Sequence, residues 1–135
     1  YETMKLSFSC SSPGKARWKQ LSQQHCGYCV PCLIRRAAMH KAFGDDGTVY
    51  TETSIYEMQN KNSEGMGIQL RSFQYAIDKI KQDRNRALFY IHKPGPLPQV
   101  DEYLQELADI YARGLFEVDN FIQDNLAEEG SNNDL

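Results

Sequence analysis

The sequence predicts a mainly α protein. A small zinc-stapled N-terminal segment with one short strand is followed by a helical subdomain ending in a long helix. Two observations predict this. The first is Cys26-Gly-Tyr-Cys29-Val-Pro-Cys32 with Cys10 upstream, a C-x15-C-x2-C-x2-C pattern that contains every cysteine of the chain. Four thiols with two tight intervals form a metal-ligating pattern. The second is the recurrence of apolar side chains at three- and four-residue steps between residues 67 and 126. That is the period of a helix with one buried face.

The bulk numbers bound the rest. A chain of 135 residues, 41% hydrophobic, can bury a core as one domain or as two small subdomains. The expected division is a zinc-binding segment over 1–62, a helical subdomain over 63–127 and a disordered acidic, Asn-rich tail over 128–135. No run approaches the ~18 apolar residues that span a bilayer. The net charge of −3 gives no general basic face for nucleic acid. The first residues contain no initiator Met and no signal-peptide pattern. A strand pattern that starts almost at once reads as part of a longer chain.

Taken in order, residues 3–9 alternate Met4, Leu6 and Phe8 with Lys5, Ser7 and Ser9, the pattern of a strand. Ser11-Ser-Pro-Gly14 is a turn. Residues 15–24 read as a short helix with Trp18 and Leu21 on one side. From Pro31 a helix follows, with Leu33, Ile34, Ala37, Ala38 and Phe43 on an apolar face. Arg35, Arg36, His40 and Lys41 form its basic face, and Gly44 stops it before the turn Asp45-Asp-Gly47. Residues 48–56 read as extended and 59–63 as a polar linker.

Leu70, Phe73, Ile77 and Ile80 then mark a helix over 67–83, and 87–92 a short one with His92 as its C-terminal cap. Pro94-Gly-Pro-Leu-Pro98 interrupts it. Val100, Leu104, Leu107, Tyr111, Leu115, Val118 and Ile122 carry a long helix over 99–126. Gly114 inside it suggests a close helix crossing or a bend. The stripe reads as core; the competing reading is an exposed face for homo-oligomerisation.

The cysteines carry the chemistry. Structural zinc takes four sulfurs in a closed tetrahedron. Gly27 suits the sharp turn of the first C-x2-C, and Pro31 the first position of the following helix. Cys32 then falls in the first helical turn, where the dipole favours a thiolate. Disulfides and an iron–sulfur cluster are the alternatives, and a catalytic zinc is disfavoured because four sulfurs leave no open position. A reducing, cytoplasmic compartment fits clustered thiols. His25 is expected to be exposed or to sit behind the ligands. Arg35 and Arg36 are candidates for an anion contact; charge compensation of a Zn(Cys)4 centre is the simpler reading. His40 and Lys41 read as solvated surface. There is no GxxxxGK[ST] loop, no His-Glu-x-x-His and no nucleophile elbow, so no catalytic or nucleotide-binding residue is assigned.

The run Cys26-Gly-Tyr-Cys-Val-Pro-Cys-Leu-Ile-Arg-Arg-Ala-Ala38, preceded by Phe8-Ser-Cys10-Ser, resembles the C-terminal zinc region of the QueC (7-cyano-7-deazaguanine synthase) family. The longer first interval and the trailing Pro31 to Tyr50 stretch are similar to the QueC-like proteins of the Qat anti-phage defence system. The resemblance covers about residues 5–50. It is weaker at Gly95-Pro-Leu-Pro98 and along the long helix at Arg113-Gly-Leu115. It implies one zinc ion per chain on Cys10, Cys26, Cys29 and Cys32. It also implies an N-terminal PP-loop domain that binds ATP and activates the carboxylate of a 7-deazapurine by adenylylation. The PP-loop signature S-G-G-x-D-S has no counterpart in this sequence. The resemblance therefore implies a docking part without turnover of its own, whose partners are the PP-loop domain and other defence proteins. The rival class is a zinc-stapled binding module, contacting nucleic acid through Arg35, Arg36 and Lys41 or protein through the stripe of residues 67–126.

Overall fold

The computed structural model describes residues 2–44, 47–60 and 65–132. Over these residues the chain forms α1 (Glu2–Leu6), α2 (Lys15–Trp18), α3 (Val30–Phe43), α4 (Ile55–Asn60), α5 (Gly67–Gln82), α6 (Arg86–Tyr90) and α7 (Asp101–Asn132). The protein is mainly α, with its cysteines near the N-terminal side and one long C-terminal helix. The expected turn at Asp45 and Asp46 and most of the expected linker over 59–63 lie outside the described residues; Gln59 and Asn60 close α4.

Helix α7 is the hub. Helices α3, α4, α5 and α6 all pack on it. Its buried stripe is Leu104, Ala108, Ala112, Leu115, Val118, Phe121 and Ile122. The sequence pattern pointed to Leu107 and Tyr111 as well, but these are only half-buried, and Ala108 and Ala112 take the deep positions. Val100 precedes the helix and is exposed. Small side chains in the stripe let neighbouring helices approach closely. In α5, Leu70, Ile77 and Ile80 are buried against the same core and Phe73 packs at its edge. The long stripe is therefore core and not an exposed association face. That core runs without interruption across the expected boundary at 62/63, joining Leu33, Ala37, Ile55 and Met58 to Leu70, Ile80 and Ile122.

Several local expectations change. Residues 3–9 do not form a strand; Glu2–Leu6 is a helical turn and a half, closed by the Ser7 N–H on Met4 O at 3.1 Å and the Ser7 hydroxyl on the same oxygen at 2.7 Å. A strand needs a neighbour for its backbone groups, and none lies alongside among the described residues. The helix expected over 15–24 is cut to Lys15–Trp18. Trp18 is 89% exposed, so its expected apolar side buries nothing there. Helix α3 is rotated relative to its apolar pattern: Cys32, Leu33, Arg36, Ala37 and Met39 face inward, while Ile34, Ala38 and Phe43 face out. Gly44 ends α3 as expected, with φ of 77° and its N–H on His40 O at 2.8 Å.

The polar residues of α3 reach across to α7. His40 Nε2 lies 2.9 Å from Asp124 Oδ2, and Lys41 Nζ lies 2.5 Å from Glu117 Oε1. Both lie on the surface, as expected, and link α3 to α7 there. Lys81–Asp119 and Arg84–Asp109 do the same from the chain around α5 and α6. Exposed pairs of this kind contribute little singly but fix register as a set. His92 lies two residues past α6, in a turn whose backbone N–H donates to Phe89 O.

The acidic tail is ordered further than its composition suggests, because α7 continues to Asn132; residues 133–135 lie outside the described set. Glu129 accepts from the N–H groups of Ile55 (3.1 Å) and Tyr56 (3.0 Å) and from the Ser54 hydroxyl (2.6 Å). The Glu57 N–H donates to Ser54 Oγ at 3.0 Å. The six-residue α4 is thus capped by its own Ser54 and by the far end of α7.

Gly114 makes no close crossing: a Cβ built there would meet nothing within 4 Å. Glycine in a helix interior costs about 0.5–1 kcal/mol relative to alanine. Gly114→Ala is therefore expected to stabilise the fold by about that amount, read as a rise in the urea midpoint with unchanged slope.

Candidate metal centre

Residues 25–29 form a tight knuckle between the turn after α2 and the start of α3. The knuckle runs beside residues 50–52, linked by a parallel bridge of His25 with Tyr50. Thr51 N–H donates to His25 O at 2.8 Å and Glu52 N–H to Cys26 O at 3.1 Å. Gly27 adopts φ of +90°, and a Cβ there would stand 1.9 Å from Glu52 O. Glycine is therefore required twice, for the left-handed turn and for the close approach of 50–52. Cys29 is the N-cap of α3, Val30 and Pro31 open it, and Cys32 lies in its first turn, as the spacing predicted.

This local geometry brings the four sulfurs together. The Sγ atoms of Cys10, Cys26, Cys29 and Cys32 all lie within 4.8 Å of one another. Cys26 and Cys32 are 3.9 Å apart, and Cys29 and Cys10 4.0 Å. All four are free thiols, far from the ~2.05 Å of a disulfide. Four ligands at ~2.3 Å from a tetrahedral ion stand about 3.8 Å apart, so the cluster fits one metal ion closely. Backbone N–H groups face the sulfurs: Cys29 N–H on Cys26 Sγ at 3.4 Å, and Ser12 and Cys26 N–H on Cys10 Sγ at 3.3 Å each. Donors of this kind support anionic sulfur. Cys26, Cys29 and Cys32 are buried and Cys10 is half-buried.

The protons are unevenly placed. A hydrogen bond from Cys32 lowers the Cys26 thiol to about 5, against the cost of its burial. Cys32 is raised by that same bond and by burial. Cys10 is raised by burial. Burial also pushes Tyr28, within the knuckle, up to about 12. Within the Cys26–Cys32 pair the negative charge is favoured on Cys26 and the proton on Cys32, and Cys10 also holds its proton more tightly than an ordinary thiol. A cation would have to displace those protons.

His25 is buried, which removes the expectation that it is exposed. Its Nδ1 is 3.8 Å from Cys32 Sγ, and its ring lies 4.5 Å from Phe8 and 5.7 Å from Tyr50. It sits behind the sulfurs, between aromatic rings supplied by distant parts of the chain.

Arg36 is buried with Nη1 on Gly27 O at 3.2 Å and Nη2 on Thr53 O at 2.5 Å. Its guanidinium lies 4.8 Å from the Phe121 ring centre and 5.3 Å from that of Tyr50. It thus ties the knuckle and the 50–53 segment to α7. Arg35 donates to Met4 O at 2.6 Å, to Ser7 Oγ at 2.7 Å and to Thr48 Oγ1 at 3.3 Å. These contacts join chain segments to one another. Sequence reasoning placed both arginines beside the metal but missed Tyr50, Thr51, Glu52 and Phe121 as the elements that receive the knuckle. No spacing rule links those residues to the cysteines.

Comparison of the chain with protein-family models, with curated proteins and with solved structures gave no match. No helix among the described residues is long and apolar enough to cross a membrane.

Two outcomes follow from this geometry. Gly27→Ala is expected to lose about 2 kcal/mol or more of folding stability and to weaken metal binding with it; chemical denaturation and a chelator competition read the two effects. Because Cys10 and Cys32 hold their protons more tightly than ordinary thiols, metal binding must release them. Affinity is therefore expected to rise with pH and to fall as the solution is acidified, measured by competition titrations between about pH 8 and pH 6.

Proposed function

We propose that Cys10, Cys26, Cys29 and Cys32 hold one structural zinc ion, and that this chain is the zinc-stapled docking domain of a QueC-like, ATP-dependent enzyme of anti-phage defence. The observation that carries the zinc reading is the closed shell of four sulfurs within 4.8 Å. Soft sulfur in a tetrahedral arrangement suits zinc, and a full shell leaves no position for an activated water. Zinc supplies cross-linking here, not chemistry on a substrate. The residues of the chain do the rest: Gly27 shapes the turn, backbone N–H groups support the sulfurs, and Arg36 with Phe121 transmits the position of the knuckle to α7.

The enzyme reading is supported by the resemblance of residues 5–50; the PP-loop signature has no counterpart in this sequence, so catalysis is assigned outside it. ATP binding and adenylylation of a 7-deazapurine carboxylate are assigned to the PP-loop domain, with the helical face of this chain and other defence proteins as its partners in a reducing cytoplasm. The nucleic-acid reading is the weaker one, because Arg36 is buried and Arg35 and Lys41 bond within the chain.

Metal analysis of the purified chain is expected to give about one zinc per chain and no iron. Cys29→Ser is expected to lose the metal and about 2 kcal/mol or more of stability; iron with a brown chromophore would replace zinc by an iron–sulfur cluster. The gene region upstream of Tyr1 is expected to encode S-G-G-x-D-S. The longer protein, but not this chain, should release pyrophosphate from ATP with a 7-deazapurine carboxylate. A parent gene without that signature would remove the enzyme reading and leave the zinc site standing.

A further inference from the structure

We infer that the metal is a latch: through Cys10 it fixes residues 2–24 as an arm on a helical body that keeps its fold when the metal leaves. This rests on the zinc reading above and adds a conformational role to it. The four ligands are unequally distributed. Cys26, Cys29 and Cys32 are buried members of the core that also holds Leu33, Leu70, Ile80 and Ile122. The same core packs around all three from α3, α5 and α7, so the body covers them whether or not they bind metal. Cys10 is different. It is half-buried and sits in a segment with almost no core of its own.

Among the described side chains of residues 3–24, only Ala16 is buried. Neither α1 nor α2 packs on any helix of the body, whereas α3 to α7 pack on one another. A cleft of about 730 Å³ separates the two parts, with Lys15, Trp18 and Lys19 on the arm side and Tyr28, Glu52 and Met66 on the body side. The arm's other ties are few: the Cys26 N–H on Cys10 Sγ, Arg35 with Met4 O and Ser7, the Phe8–His25 ring contact, the Lys19–Glu52 ion pair, and Gln24 with Thr51. A handful of single polar and ring contacts, with almost no apolar burial beneath them, holds a segment weakly. A metal bound by all four sulfurs adds a strong link from Cys10 to the body, and it is the one link that can be withdrawn. The metal state then decides whether the exposed Leu6, Phe8 and Trp18 are presented in one fixed arrangement.

The full chain tests this by limited trypsin cleavage after Lys15, Arg17 and Lys19 and by hydrogen exchange, with zinc and after chelation under reducing conditions. Bound zinc is counted in the same samples. Chelation is expected to speed cleavage in the arm by about tenfold or more, since cleavage tracks the open population. Exchange protection in α5 and α7 should persist. Cys10→Ser should leave the arm open even with zinc present while α5 and α7 stay protected. The latch is overturned if zinc is bound at one per chain and arm cleavage does not depend on it, or if chelation strips protection from α5 and α7 together with the arm. A chain that binds no zinc overturns the zinc reading itself, and the latch with it.

Discussion

Four cysteine sulfurs held within 4.8 Å of one another constrain everything around them. To reach that arrangement the chain must reverse sharply at Gly27 and start a helix immediately after Cys29. It must also hold the reversal against residues 50–52. Once Cys32 points at the cluster, the rotation of α3 is fixed, because a helix has one phase. Leu33, Ala37 and Met39 then fall inside, and Ile34 and Phe43 are left outside despite their apolar character. Arg36 is carried inward by the same rotation. Its guanidinium accepts burial because two carbonyls and two aromatic faces surround it. The ligand geometry thus overrides the hydrophobic pattern along α3.

The helices of the C-terminal half were legible because their periodicity is strong and their packing obeys it. Leu70, Ile77, Ile80, Leu115, Val118 and Ile122 are buried where the spacing placed them. The cluster of cysteines was legible for a different reason, since ligand spacing encodes its own geometry. Short elements were not legible. The alternation in residues 3–9 mimics a strand, but a strand is a property of pairs and no partner stands beside it among the described residues. The roles of His25, Arg36 and Glu129 were hidden because each depends on residues far away in sequence: Phe8 and Tyr50 for the first, Phe121 for the second, Ser54 for the third.

Alanine misled in a related way. A search for large apolar residues passes over Ala108 and Ala112, although these hold two of the deepest positions on α7. Where helices approach closely, a small residue marks the interface and a large one marks its margin. Leu107 and Tyr111 therefore lie at the edge of the stripe and not at its centre.

The capping of α4 by Glu129 has a consequence for biosynthesis. The backbone donors at Ile55 and Tyr56 wait for an acceptor that is translated more than seventy residues later. At ribosomal rates of roughly 5–20 residues per second, that interval is several seconds. During it α4 lacks this cap, and neither α3 nor α4 has its packing surface on α7. The final packing of both helices therefore waits for the last turns of α7, however early the cysteines come together.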